Sequence, residues 1–316
     1  MKNKDVTYTE APPRTGLLSF QVGDIRLSKL AAVAAQLALV LAVMHVFKVE
    51  QNRGFLRLTT LIFGGFLVHA LLPMRFRMPF FLAVSLAAFV TLLGFSQSVG
   101  LVLIGLALIG LCHLPVAFGV RVALVVAFAA GLAAIRAGWI TTPWEALPTL
   151  VLPILGAIFM FRLMLYLYDL RHERKPATVW ERLSYFFLLP NVCFLLFPVV
   201  DYQTFRRTYY DKDAAEIYQK GVLWIFRGVT HLILYRLVYY YFVPSPTEVQ
   251  TLGQVAQYMV GTYLLYLRIS GQFHLIIGIL CLFGYNLPET HHLYYLASSF
   301  NDYWRRINIY WKDFMM

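Results

Sequence analysis

The chain has 316 residues, 59% of them hydrophobic and only 14% charged, with a mean hydropathy of +0.64. An average soluble domain carries about 25% charge, so the composition excludes an ordinary water-soluble fold, a disordered chain and a coiled coil, and leaves an all-α polytopic membrane protein. The net charge of +11 sits mostly at the ends of apolar runs, where it faces lipid headgroups. No basic polar face carries interleaved aromatics, so the bilayer is the expected partner and nucleic acid is not.

Residues 1–29 are polar, with Pro12, Pro13 and the basic residues Lys2, Lys4, Arg14, Arg26 and Lys29. They read as a basic cytosolic tail rather than a cleavable signal, because the apolar run that follows is long enough to span. Apolar runs at 30–47, 58–73, 79–97, 99–120, 122–140 and 148–168 read as spans. Met78 to Val120 contain no Asp, Glu, Lys or Arg. At about 1.5 Å per residue that stretch crosses the hydrocarbon twice, with a tight helical hairpin expected near Gln97–Gly100. With the N-terminus inside, the inner segments hold Lys2, Lys4, Arg14, Arg26, Lys29, Arg75, Arg77, Arg121, Arg171, Arg174, Lys175 and Arg182. The outer ones hold Lys48, Arg53, Arg57 and Arg136. This asymmetry predicts a cytosolic N-terminus and a cytosolic loop over 169–182.

The composition shifts after Pro176. Residues 30–176 read as an N-terminal transmembrane bundle, rich in Ala, Leu, Val and Gly; Arg162 and Asp169 read as anchors of one helix end, Cys112 and His113 as packing. Residues 177–316 form a second region in which polar groups enter apolar runs: Asn191, Arg227, His231, Arg236, Arg268, Gln272 and His274. Such groups are costly in lipid and persist where they face a bundle interior or an aqueous cavity. Pro190 and Pro198 make 183–200 a broken or re-entrant segment. The mixed charge of 201–220 predicts an interfacial amphipathic helix, and helices follow near 221–243, 253–269 and 271–287. The total is about nine or ten membrane helices, the broken segment included. Cys112, Cys193 and Cys281 all lie in apolar runs and read as small core residues; no Cys/His spacing predicts a metal site.

The stretch 263–316 carries the densest pattern. It has Ser270-Gly271, Gly278, Leu282-Phe283-Gly284, Leu287-Pro288-Glu289 and then Asp302-Tyr303-Trp304-Arg305-Arg306. These pieces, in this order and spacing, resemble the membrane-bound O-acyltransferase (MBOAT) family, in particular its bacterial alginate O-acetylase and teichoic-acid D-alanyl transferase branch. The stretch from Phe186 to Phe205 resembles the family's proline-containing segment, so the resemblance covers roughly 180–316. Two departures stand out. Asn308 occupies the position of the motif histidine, as it does in many MBOAT members, and His274 replaces an aspartate. The family's near-invariant catalytic histidine, its general base, sits on a later apolar helix, which would fall beyond Met316. The chain therefore reads as an MBOAT-like core incomplete at its C-terminus.

The resemblance implies an integral protein of the bacterial cytoplasmic membrane. It implies transfer of an acyl group from a thioester, acyl-CoA or acyl-carrier protein on the cytosolic side, to a hydroxyl of a saccharide, polymer or lipid. The donor is a substrate; no bound cofactor is expected. Asn308 would polarise or position a reacting group, since an amide is no general base. Asp302, Trp304, Arg305, Arg306, Lys312 and His274 are the candidate substrate contacts, each with a plainer reading. For Arg305, Arg306 and Lys312 it is headgroup contact. For Trp304 and Trp311 it is an interface belt. For His274 it is a hydrogen-bonded core histidine. His231 reads as structural, and His291 and His292 as interface residues. The alternative function is a non-catalytic multi-pass binding or scaffold protein, or a transporter; the absence of paired broken helices in both halves speaks against the last.

Overall fold

The computed structural model describes residues 27–47, 49, 53–139, 160–172, 178–189, 200 and 202–307. The basic tail up to residue 26, most of the predicted span at 148–168, both prolines of the broken segment and Cys193 lie outside the described residues. So do Asn308, Trp311, Lys312 and Met316, the point past which the resemblance places the general-base histidine. The expectation of a core incomplete at that end thus falls on residues outside the described ones.

Among the described residues the chain is helical, with one isolated antiparallel bridge, Tyr209 to Tyr285. In chain order the helices are α1 (Leu27–Val46), α2 (Arg53–Leu71), α3 (Met74–Leu93), α4 (Phe95–Cys112) and α5 (Phe118–Arg136). Then come α6 (Met160–His172), α7 (Val179–Phe186), α8 (Tyr202–Arg207), α9 (Ala214–Leu237), α10 (Leu252–Leu264), α11 (Leu267–Leu282) and α12 (Phe300–Ile307). Among the described residues seven helical stretches are long and apolar enough to cross a membrane: α1 to α5, the run Ala214–Glu248, and the run Leu252–Leu282. The protein is an all-α, multi-pass integral membrane protein. Large apolar side chains cover its outside, as in Leu39, Leu103, Val126 and Phe226, which suits a surface solvated by lipid.

Several boundaries differ from the sequence expectation. The α3–α4 hairpin turns at Gly94, with φ of 83°, rather than at Gln97–Gly100. A residue without Cβ takes that left-handed conformation at no steric cost, while Ser98 donates its hydroxyl to the Gly94 carbonyl at 2.7 Å from inside α4. α3 begins at Met74 and contains Pro79, losing one backbone bond in its second turn.

The expected interfacial helix over 201–220 is not formed. α8 stops at Arg207, and α9 starts at Ala214. Between them Thr208–Tyr210 pairs with the turn after α11: Tyr210 N donates to Gly284 O at 2.8 Å and Asn286 N to Thr208 O at 2.9 Å. Tyr202 and Phe205 are buried, so α8 is a core element. Tertiary pairing overrides the local amphipathic pattern here.

α9 and α11 run antiparallel and pack more extensively than any other described pair. Gly221 and Gly228 on α9 face Gly278 and Gly271 on α11. A Cβ at Gly278 would meet Ile225 Cγ1 at 2.6 Å and the Gly221 carbonyl at 2.8 Å. One at Gly228 would meet the Gly271 carbonyl at 2.8 Å. Small residues let the two backbones touch, the usual basis of tight helix pairs in lipid. The expected helix break at Ser270-Gly271 is therefore absent: the break lies at Leu265–Tyr266, and Ser270 and Gly271 sit inside α11.

The N-terminal bundle and the second region share one core. α1 packs on α9 and α3 on α7. An aromatic layer joins them: Phe81 lies 4.9 Å from Phe283 and 5.5 Å from Tyr285, and Tyr285 stacks on Phe205 at 4.4 Å. Arg162 and Asp169 are buried rather than anchoring a helix end; Arg162 donates to the Tyr185 carbonyl at 2.8 Å and Asp169 accepts from Gln203 at 3.2 Å.

Candidate functional site

After α11 the chain does not leave the bundle. Gly284, with φ of 93°, turns it back, and the Lys220 ammonium holds the Leu287 carbonyl at 2.8 Å. A few residues later His291 reaches Ser270 at 2.7 Å, and Ser270 in turn reaches His231 at 2.8 Å. From Lys220 to His231, α9 climbs about 16 Å at 1.5 Å per residue. The four residue steps from Leu287 to His291 reach at most about 14 Å, and the Lys220 and His291 side chains supply the rest. Leu287, Thr290 and His291 are buried along the way. Non-helical backbone beside membrane helices persists where protein shields it.

This return strand assembles a cluster from three elements: His231 and Trp224 from α9, Ser270 and His274 from α11, and His291 from the connector. Ser270 Oγ lies between His231 Nδ1 and His291 Nε2. A hydroxyl has one proton, so it donates to one imidazole and accepts an N–H from the other. The His274 ring lies 4.4 Å from His291, 5.1 Å from His231, and is stacked on Trp224 at 4.9 Å. The Arg227 guanidinium lies over the Trp224 ring at 4.9 Å. Ser270 is fully buried, and His274 and His291 nearly so.

Two atoms in the cluster keep unspent capacity. His291 Nδ1 and Trp224 Nε1 are buried and make no hydrogen bond. Burial, and then the neighbouring His231, push His291 down to about 4. It is therefore a neutral imidazole at pH 7, with one ring nitrogen able to accept a proton. Together these groups form a hydrogen-bonded chain with one open end at His291, and Trp224 adds an uncommitted N–H donor. No group of His, Cys, Asp or Glu among the described residues has metal-holding geometry.

Of the candidates from the sequence, His274 is in this cluster, held by ring contacts. Asp302, Trp304, Arg305 and Arg306 are not: they lie on α12, with Trp304 and Arg305 exposed. Arg306 Nε donates to Asp302 Oδ1 at 2.9 Å, and the Ser298 amide donates to Asp302 Oδ2 at 3.1 Å. The Arg306 bond first, and then the Ser298 amide, hold the Asp302 carboxyl below its usual range. Asp302 and Arg306 thus largely satisfy each other. α12 nonetheless touches the cluster's surroundings. Tyr266 OH donates to the Ile307 carbonyl at 3.4 Å, and Tyr294 lies 4.6 Å from Tyr266 and 5.1 Å from His291. Asn308 directly follows the residue that meets Tyr266; it and the rest of the chain to Met316 are outside the described residues.

His291 is the correction that matters most. Expected at an interface, it is buried at the centre of the site, while its neighbour His292 stays exposed and lies 3.7 Å from Glu289. Sequence reasoning does not join His231, Ser270 and His291 into one group. No family model, no curated protein and no solved structure matches the chain.

Proposed function

We propose that the protein is a membrane O-acyltransferase core, transferring an acyl group from a thioester donor to a hydroxyl of a saccharide, polymer or lipid. One observation carries this reading. Buried Ser270 and His291 lie within the stretch whose Ser270-Gly271, Leu282-Phe283-Gly284, Leu287-Pro288-Glu289 and Asp302–Arg306 pieces resemble the MBOAT family, and half-buried His231 from α9 completes their hydrogen-bonded chain.

The chemistry asks for what this cluster offers. The acceptor oxygen attacks the thioester carbon while its proton passes to a base, and the oxyanion that forms takes a hydrogen bond. In this reading the proton goes to His291 and is shared through Ser270 with His231. Collapse of the tetrahedral intermediate expels the thiolate, which recovers the proton. Trp224 Nε1 is the free donor nearest this chemistry in kind. Asn308 keeps a positioning role, since an amide accepts no proton at neutral pH.

The test uses the purified chain with a radiolabelled acetyl thioester and a panel of hydroxyl acceptors. His291→Ala is expected to lower turnover by about 10²-fold or more, the range of a single general base, and Ser270→Ala by less. Transfer that survives both substitutions would overturn the assignment. Ligand binding without turnover in the wild type would favour a binding module.

A further inference from the structure

A second site lies about one helical turn beyond the cluster, at the end of the bundle where α1 stops. A cavity of about 200 Å3 opens there, lined by Arg236, Arg268, Tyr235, Tyr239 and Tyr240, with aliphatic side chains completing it. Among the described lining residues every polar side chain is a hydrogen-bond donor or a phenol, and none is a carboxylate. Arg268 makes no ion pair with a described residue; its guanidinium lies over the Tyr235 ring at 5.6 Å. Arg236 lies over Tyr240 at 5.8 Å and donates Nη1 to the Phe47 carbonyl at 2.8 Å.

The stacking matters because it presets each guanidinium plane before a ligand arrives. The backbone is specialised at the same place. α9 widens into a π-helical turn, Val238–Phe242, closed by Val243 N to Val238 O at 3.0 Å. That turn supplies Tyr239 and Tyr240. Single π turns in α-helices recur at functional sites.

The geometry points to a binding site for a phosphate ester at the Arg236–Arg268 cavity. The two planar forks approach from separate helices, Arg236 from α9 and Arg268 from α11, and the phenols come from α9 and its π turn. A tetrahedral phosphate offers oxygens in separate directions, while a planar carboxylate offers two in one plane. The Phe47 contact fixes the level: the cavity opens where α1 ends, the depth at which lipid phosphates lie. The same chemistry serves a phospholipid headgroup and a free phosphate. The site does not depend on the acyl-transfer reading, and its test contains no turnover.

The experiment titrates the purified full-length chain in detergent with dioleoyl phosphatidylglycerol, with phosphate-free dioleoylglycerol, and with inorganic phosphate. Native mass spectrometry reads bound lipid, and thermal shift reads phosphate. One phosphatidylglycerol per chain is expected, bound at least about tenfold tighter than dioleoylglycerol, with Arg268→Gln losing about tenfold, the scale of one charge-assisted contact. Arg207→Gln, on α8 beside the opposite end of α9, is expected to bind as the wild type. Arg268→Lys keeps the charge without the fork and is expected to fall between wild type and Arg268→Gln, so it decides the question if the Gln variant fails to fold. A thermal shift with inorganic phosphate alone, lost in the Arg268 variants, keeps the site and assigns it to free phosphate. Equal retention of phosphate-free lipid, or binding unchanged in both Arg268 variants with neither probe distinguished, overturns it.

Discussion

Ser270 has one proton and two imidazole neighbours, and this shortage makes the cluster sensitive to pH. His291 in the folded chain is held at about 4, against an ordinary value of 6.5. A depressed folded value means that the unfolded chain binds the proton first. The His291 contribution to stability is therefore complete above about pH 6.5 and is lost as the pH falls toward 4. Its full size is on the order of 3 kcal/mol. Thermal unfolding in detergent between pH 8 and pH 4 should show a falling midpoint, and His291→Gln, which cannot titrate, should flatten that part of the curve. An unchanged slope in the variant would assign the pH dependence elsewhere. His113 belongs to the same class, at the end of α4. Burial first, then Arg182 and Arg121, lower it, and its Nε2 lies 2.9 Å from Tyr166 OH. His113→Gln should remove a second, smaller part of the acid sensitivity.

At the scale of elements, the α9–α11 pair rests on four glycines rather than on bulky interdigitation. Gly278→Ala places a methyl group within 2.6 Å of Ile225 and 2.8 Å of a backbone carbonyl that has no rotamer to change. The expected cost is about 1–3 kcal/mol, typical of overpacking, read as a lower unfolding midpoint. Gly110 is the contrast, with nothing within 4 Å of the site of a new Cβ. Gly110→Ala should gain up to about 1 kcal/mol from helix propensity. If the two substitutions behave alike, the close crossing is wrong. This pair also explains what the sequence did and did not convey. The apolar runs gave the helices, because length and hydropathy alone decide whether a segment spans. The polar residues that invite function were visible too, as His231, Ser270 and His274. Their convergence was not, because it depends on partners distant in sequence. Gly221 and Gly228 share a seven-residue spacing with Gly271 and Gly278, the one signal that sets α9 against α11 and His231 against Ser270. His291 needed more: nothing local says that the non-helical chain after Gly284 runs back along the bundle. The 201–220 helix failed for the same reason, since Thr208–Tyr210 pairs with residues beyond Gly284.

At the scale of the molecule, the contacts order the two ends of the bundle. Arg236 meets Phe47, so the end of α9 and the start of α11 lie where α1 stops. Arg77 lies 5.0 Å from the Tyr210 ring, so the start of α9 lies at the other end, beside the α2–α3 turn and Arg75. His291 climbs from that second end to the first, and His292 N donates to Arg306 O at 2.9 Å, which carries α12 there as well. Arg75 and Arg305 therefore belong to opposite faces of the membrane. The excess of Lys and Arg in the segments on the Arg75 side predicts that this side is cytosolic. The argument then bears on the donor. If that side is cytosolic, α12 lies on the outer face, and the proposed cytosolic donor would approach the His231–Ser270–His291 chain between helices from the α2–α3 side rather than through Arg305 and Arg306. Arg75 and Arg305 are both exposed and suit cysteine substitution, because the described cysteines, Cys112 and Cys281, are buried. In sealed vesicles of known orientation, Arg75→Cys should react with a membrane-impermeant maleimide only from the cytosolic side and Arg305→Cys only from the opposite one. Labelling of both from one side would break the ordering of the bundle ends. Labelling from opposite sides in the reversed sense would keep the fold and invert the orientation, returning Arg305 and Arg306 to the cytosolic donor.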